Sequence, residues 1–214
     1  MLIKNVVSNL MQSGGKRIRP LFVLAFNKLC SNSIPEDLNI IAASIEYIHT
    51  ATLLHDDVID NSDSRRGKST AQKLWGSKAS VLVGDFLLST AFKWLVSSNN
   101  SEILKIVSET SVAISRGEIK QLVSKLDFNS HTYYDVIRSK TAVLFAASCE
   151  IGAVAGGANY EQRCAAYEFG LNFGIAFQII DDIMDYVGTE TGKPSGADFM
   201  NSRITLPLIL AYQE

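Results

Sequence analysis

The sequence predicts an all-α protein, a single-domain helical bundle over residues 1–214, and three observations predict it. Apolar residues recur at three- and four-residue spacing in segment after segment, and runs of β-branched residues alternating at period two are missing. Only 4 prolines interrupt the chain, so few segments are barred from helix. Hydrophobic residues make up 47% and charged residues 20% of the 214, enough apolar content for one sizeable core.

The elements follow in order. Residues 2–12 read as a short amphipathic helix. Gly14-Gly15 breaks the chain before Lys16-Arg17-Ile18-Arg19-Pro20. Lys16 and Arg19 share a side at helical spacing, as an anion site or as a solvated basic loop. An apolar helix spans 20–30. Ser33-Ile34-Pro35-Glu36 then matches a capping box with proline near the first helical position. The helix it opens runs without a breaker to Asp60. His49, Thr52 or Leu53, Asp56 and Asp60 share one of its faces.

That helix ends in Leu53-Leu54-His55-Asp56-Asp57-Val58-Ile59-Asp60. Acids at a helix C-terminus oppose the dipole and repel one another. Either they are solvated, or a hard divalent cation with oxygen ligands, Mg²⁺, supplies the missing charge. The next loop, Asn61 to Gly67, carries Arg65-Arg66, and arginine suits planar recognition of phosphate oxygens.

Helices follow at 78–97 and 101–127. Asp85 lies on an apolar face of the first, which calls for a buried partner or a cavity. Glu118 and Gln121 are neighbours on the second. After Asn129-Ser130 a helix covers 131–157, with Lys140-Thr141 ahead of apolar Ala142 to Ala147. Asn159-Tyr160-Glu161-Gln162 reads as a cap for a helix over 160–187. Along it Gly170, Gly174, Gln178, Asp181 and Asp185 form one stripe, and its glycines keep a groove open or let another helix pack closely. Phe177 to Asp185 repeats the earlier arrangement: an apolar run, Asp181-Asp182-Ile183-Met184-Asp185, then Gly188 as a stop. Two carboxylate clusters, one in each half of the chain, suggest a multi-metal site and a phosphate-bearing ligand. Thr189 to Ser202 is a polar loop, and 204–212 begins a last helix.

Net charge −2 gives no basic surface for nucleic acid. Cys30, Cys149 and Cys164 are odd in number and scattered, as reduced thiols of an intracellular, cytoplasmic protein would be. The N-terminus lacks the features of a signal peptide. Thr141 to Tyr160 is the most membrane-like window, but Glu150 breaks it and its Ala and Gly content suits helix packing, so no transmembrane span is expected.

These motifs resemble the isoprenyl diphosphate synthase family of trans-prenyltransferases, nearest to its long-chain, octaprenyl-type members. The carriers are Gly14-Gly15-Lys16-Arg17-Ile18-Arg19-Pro20, Leu54 to Asp60 with Arg65-Arg66-Gly67, Gly117-Glu118 with Gln121, Lys140-Thr141, Phe177-Gln178 with Asp181 to Asp185, Gly192-Lys193, and Thr205-Leu206-Pro207-Leu208-Ile209. The resemblance implies an all-α bundle around a deep central cavity, its acid clusters facing each other across the mouth. It implies a Mg²⁺-dependent condensation of isopentenyl diphosphate with an allylic diphosphate such as farnesyl diphosphate. The product would be a long all-trans polyprenyl diphosphate, a quinone side-chain precursor such as that of ubiquinone, made by a homodimer.

By the same resemblance Asp56, Asp60 and Asp181 bind Mg²⁺, with Asp57, Asp182 and Asp185 in support. Arg65, Lys140 and Lys193 hold the allylic diphosphate. Lys16, Arg19, His49 and Arg66 hold isopentenyl diphosphate, and Thr141 and Gln178 line the reacting carbons. Short-chain members place bulky aromatics four and five residues before the first aspartate. Thr52 and Ala51 are small, which implies a long product. Three departures stand out: the family's N-terminal helical region and C-terminal helices are largely missing, Ala197 stands where an acid is common, and Ser202-Arg203 replaces Gly-Lys, Arg203 keeping the charge. They leave two competing expectations: a truncated, non-catalytic remnant or partner subunit, and a terpene cyclase of related fold.

Overall fold

Helical periodicity is realised nearly throughout the computed structural model, which describes residues 2–12, 14–124, 129–187, 199 and 203–213. The helices are α1 (Leu2–Gln12), α2 (Ile18–Cys30), α3 (Leu38–Ile59), α4 (Ala71–Trp75), α5 (Ser77–Ser97), α6 (Ser101–Val123), α7 (Ser130–Ile137), α8 (Val143–Ala155), α9 (Tyr160–Val187) and α10 (Leu206–Gln213). A π-helical turn, Arg138–Ala142, joins α7 to α8. Asparagines start three of them. Asn100 accepts from the N–H groups of Glu102 and Ile103, Asn129 from that of His131, and Asn159 exchanges bonds with Gln162 as a capping box. The expected capping box at Ser33 does not form; α3 starts after Asp37, and Ser31 Oγ accepts the Ser33 N–H instead.

α8 is mostly apolar, with Glu150 its one charge, and Leu144 through Cys149 and Ile151 through Ala153 are buried, as a central helix must be. α2, α6 and α9 pack around it, and α3 lies between α2 and α5. The main core is built from Val23 of α2, Ile41, Ile45 and Ile48 of α3, Leu95 of α5, Ile103 and Val107 of α6, and Leu144 and Ile151 of α8. The membrane-like stretch from Thr141 is thus protein core, and Glu150 is neutralised by Arg163 at 2.9 Å. Among the described helices, α5 is long and apolar enough to cross a membrane by length and composition; it packs lengthwise on α3.

Gly170 and Gly174 have a packing reason. A Cβ on Gly170 would lie 2.6 Å from the Phe145 carbonyl oxygen, and one on Gly174 2.5 Å from Ala142 Cα. The glycines of the α9 stripe therefore mark a close crossing with α8 and the π-helical turn before it, not an open groove. Phenylalanines fill the rest of the seam. Phe22 of α2 meets Phe173 edge-on at 4.9 Å between centroids, and Phe145 touches both Phe173 and Phe177.

The only described strands form a two-residue hairpin after α3, with Ser64 opposite Ser69 and Arg65 opposite Lys68. Arg66 (φ 51°) and Gly67 (φ 73°) occupy the turn, and positive φ at both central residues is the requirement of the hairpin turn that follows strand twist.

Candidate active site

A cavity of about 730 Å³ opens between the α1–α2 loop, α3, the hairpin and α9. Five cationic side chains line it: Lys16, Arg17, Arg19, Arg65 and Arg66. Gly14 (φ 81°) and Gly15 (φ 148°) shape the loop that delivers the first three. A Cβ on Gly15 would sit 2.9 Å from Arg66 Nη1 and 3.0 Å from Arg17 Nη1, so the glycine makes room for two guanidinium groups. Arg66 also donates to the Gly14 carbonyl.

Arg19 lies 4.0 Å over the Phe145 ring, and burial pushes its pKa down to about 10. Its Nη1 donates to His49 Nε2 at 3.2 Å, which leaves the imidazole proton on Nδ1. Burial, then the arginines around it, holds His49 well below its ordinary pKa, so the ring is neutral. Arg19 Nε is buried with no hydrogen-bond partner, a donor waiting for an acceptor. Of the cationic residues picked out in the sequence, Lys16, Arg19, Arg65 and Arg66 thus share one cavity with His49, while Lys140 and Arg203 stand at the acids.

The acid clusters split by helical geometry. Asp56 and Asp60 are one turn apart, while Asp57 is rotated by about 100°. Asp57 is 1% exposed, and Arg65 Nε and Nη2 both hold its Oδ1 at 2.9 Å. The second cluster repeats this. Asp182 is 4% exposed, accepting from Tyr133 Oη at 2.6 Å and from Gln178 Nε2 at 2.9 Å, while Asp181 lines the cavity. Asp57 and Asp182 are therefore placed inward as hydrogen-bonded supports. Arg65 holds Oδ1 of Asp57, and Tyr133 and Gln178 take one oxygen each of Asp182. Asp60 is paired with Arg203, which brings the residue that replaces the family's lysine to the first cluster. Lys193 lies outside the described residues.

The π-helical turn joins the two clusters. Lys140 Nζ lies 2.7 Å from Glu118, 2.9 Å from Gln121 and 3.8 Å from Asp56. The next residue, Thr141, donates to Gln178 Oε1 at 2.8 Å, and Gln178 passes the chain on to Asp182. Gly117 permits this arrangement, since a Cβ there would meet the Lys140 backbone nitrogen at 2.9 Å. Burial first, then the Asp56 charge, pushes Glu118 up to about 7 against the pull of Lys140.

Among the described residues, no three acids, histidines or cysteines converge into a ready metal cage. The donors are carboxylate oxygens at the ends of two helices, a set that suits a hard divalent cation completing its shell with ligand oxygens.

Four placements were not foreseen. Asp85 is exposed and sits 3.3 Å from His55, with no burial to explain. Ala51 is 1% exposed in a cluster with Leu54, Val83 and Leu87, so it does not line this cavity; Glu46, His49, Thr50 and Leu53 do. Tyr133 and Glu46 were missed altogether. Glu46 had a readable signal, lying three residues before His49 on the same face, whereas Tyr133 is brought to Asp182 by tertiary packing alone.

The polyprenyl synthetase family model matches residues 1–214. Octaprenyl diphosphate synthase of Escherichia coli is 42% identical over 98% of this chain and 66% of its own. Heptaprenyl diphosphate synthase component 2 of Bacillus subtilis is 39% identical over 98% of this chain and 61% of its own. A solved decaprenyl diphosphate synthase from Rhodobacter capsulatus superposes with TM-score 0.93 at 43% identity, covering 99% of this chain and 66% of that one. A polyprenyl synthase from Caulobacter crescentus, solved with calcium and isoprenyl diphosphate, gives 0.91 at 43% identity over 99% and 64%. The chain thus spans slightly less than two thirds of the length of these relatives.

Proposed function

The chain belongs to the polyprenyl synthetase family, and from that premise we propose that it condenses isopentenyl diphosphate with an allylic diphosphate such as farnesyl diphosphate, extending it to a long all-trans polyprenyl diphosphate. One observation carries the proposal. The Lys140-Thr141 turn ties Asp56 on α3 to Gln178 and Asp182 on α9, while a cavity lined by five cations opens beside Asp181. Such a place suits two diphosphates, one beside the acids and one among the arginines.

Asp56, Asp60, Asp181 and Asp185 would hold Mg²⁺, which when bound neutralises the charge that develops on the leaving diphosphate. The chain's own residues do the rest. Lys140, poised between Asp56 and Glu118, turns its ammonium to the allylic diphosphate, with Arg65 and Lys193 adding charge. Lys16, Arg19, Arg66 and neutral His49 hold isopentenyl diphosphate, the orphaned Arg19 Nε supplying one donor. Thr141 and Gln178, locked to each other, fix the walls around the reacting carbons. The allylic C–O bond ionises, the isopentenyl double bond supplies the electron pair of the new C–C bond, and a proton leaves the product carbon for the released diphosphate.

Incubation with radiolabelled isopentenyl diphosphate and farnesyl diphosphate tests this. The expected extract is a long polyprenyl product that needs Mg²⁺ and falls by at least about a hundredfold in Asp56→Ala. A cyclic hydrocarbon from farnesyl diphosphate alone, or no incorporation by folded protein, would overturn it.

A further inference from the structure

Among the cations of the cavity lies one carboxylate that the proposed chemistry leaves without a task. Glu46 sits on α3 with its side chain 11% exposed, and its Oε1 accepts from Arg17 Nη1 at 2.6 Å. Its neighbourhood is crowded with cations. Arg17 and Arg66 both bring Nη1 to within 3.0 Å of the Cβ position of Gly15, and Arg19 shares the same cavity. Arg17 and Arg66 both hold left-handed backbone at φ 51°, a conformation that non-glycine residues keep only when their surroundings demand it. A carboxylate is rarely buried unless paired, and guanidinium groups are rarely gathered without a counter-charge.

We infer that Glu46 is the resident counter-anion of this cavity and that its charge sets how strongly the cavity takes a diphosphate. The inference rests on the reading of the cavity as the isopentenyl diphosphate site. With no ligand, Glu46 offsets repulsion among Arg17, Arg19 and Arg66 and keeps the Gly-Gly-Lys-Arg loop seated on α3. When a diphosphate enters, the same carboxylate faces another anion and opposes it. The balance selects a ligand with several negative charges. A monoanion gains too little from cations already partly neutralised, while a diphosphate outweighs the Glu46 carboxylate, the other lining acid, Asp181, standing at the metal side of the cavity. Glu46 is in this sense a positioning and specificity residue: it holds the cations in place and sets the threshold of charge that a ligand must bring.

The test is calorimetric titration of inorganic diphosphate at low ionic strength with EDTA present, so that the cationic cavity is read without metal. In Glu46→Gln an amide oxygen still reaches Arg17 but the charge is gone. Affinity is expected to rise roughly tenfold, the gain shrinking as salt is added, while the melting temperature without diphosphate falls. A purely structural glutamate would lower both. The double variant Arg17→Gln with Glu46→Gln removes the pair and restores the cavity's net charge. Its affinity is expected within about threefold of the unaltered protein, so it tests the charge argument even where Glu46→Gln does not fold. Unchanged or weaker binding in Glu46→Gln, or a tenfold loss in the double variant, overturns the inference alone. No binding of diphosphate by the unaltered protein overturns the reading of the cavity, and the inference with it.

Discussion

Asp57 and Asp182 occupy the second position of each Asp-Asp-x-x-Asp cluster, and both turn inward. A rotation of about 100° between successive helix residues makes this unavoidable: a face that presents Asp56 and Asp60 cannot also present Asp57. Each buried carboxylate is matched to a donor, Arg65 for one and Tyr133 with Gln178 for the other. The pairing at Asp182 matters beyond stability, because Gln178 also receives Thr141. Replacing Tyr133 with Phe withdraws one donor from a buried carboxylate. Urea unfolding should show a loss of about 1–3 kcal/mol, and kcat should fall as Gln178 loosens. A variant as stable as the unaltered protein would mean that Asp182 does not depend on Tyr133.

At the scale of helices, the sequence was legible where periodicity decides and at the Asn159 cap, but not at Ser33, whose capping box does not form. α1, α5 and α9 fall within a residue of their expected bounds, and Asn159 caps as its spacing with Gln162 suggests. Illegible were features that tertiary approach decides. The apolar period from 131 to 157 runs on through a π-helical turn, which inserts Lys140 and Thr141 between the clusters without disturbing the pattern. The glycines of α9 were ambiguous between groove and crossing, since spacing alone cannot say what lies opposite. The short α4 and the hairpin were too brief for a periodic signal, although Arg66-Gly67 is a serviceable turn pair. The close crossing makes a sharp prediction. Gly to Ala inside an ordinary helix stabilises by about 1 kcal/mol. Gly174→Ala should instead destabilise by about 1–3 kcal/mol in thermal or urea unfolding, because its methyl would meet Ala142 Cα at 2.5 Å. Stabilisation would show that α8 and α9 are free to separate.

Over the whole molecule, two helices from opposite halves of the chain each end their apolar run in acids, and a turn between α7 and α8 stitches them together. The cationic loop comes from a third region, before α2, and the hairpin from a fourth. Motifs scattered in sequence converge because α8 buries all its faces, forcing α2, α6 and α9 to surround it while α3 packs on α2. The central claim is that these parts form one site for two diphosphates, one taken with metal beside the acids and one among the neighbouring cations. No carboxylate cage stands ready among the described residues, so Mg²⁺ and diphosphate should each strengthen the other's binding beside the acids, while the cationic cavity takes diphosphate more weakly without metal. The most direct test is titration of inorganic diphosphate with and without Mg²⁺. Mg²⁺ should tighten diphosphate binding at least about tenfold, with the gain lost in both Asp56→Asn and Asp181→Asn. Equal affinity with and without Mg²⁺, or a gain that survives either substitution, would contradict a single shared site.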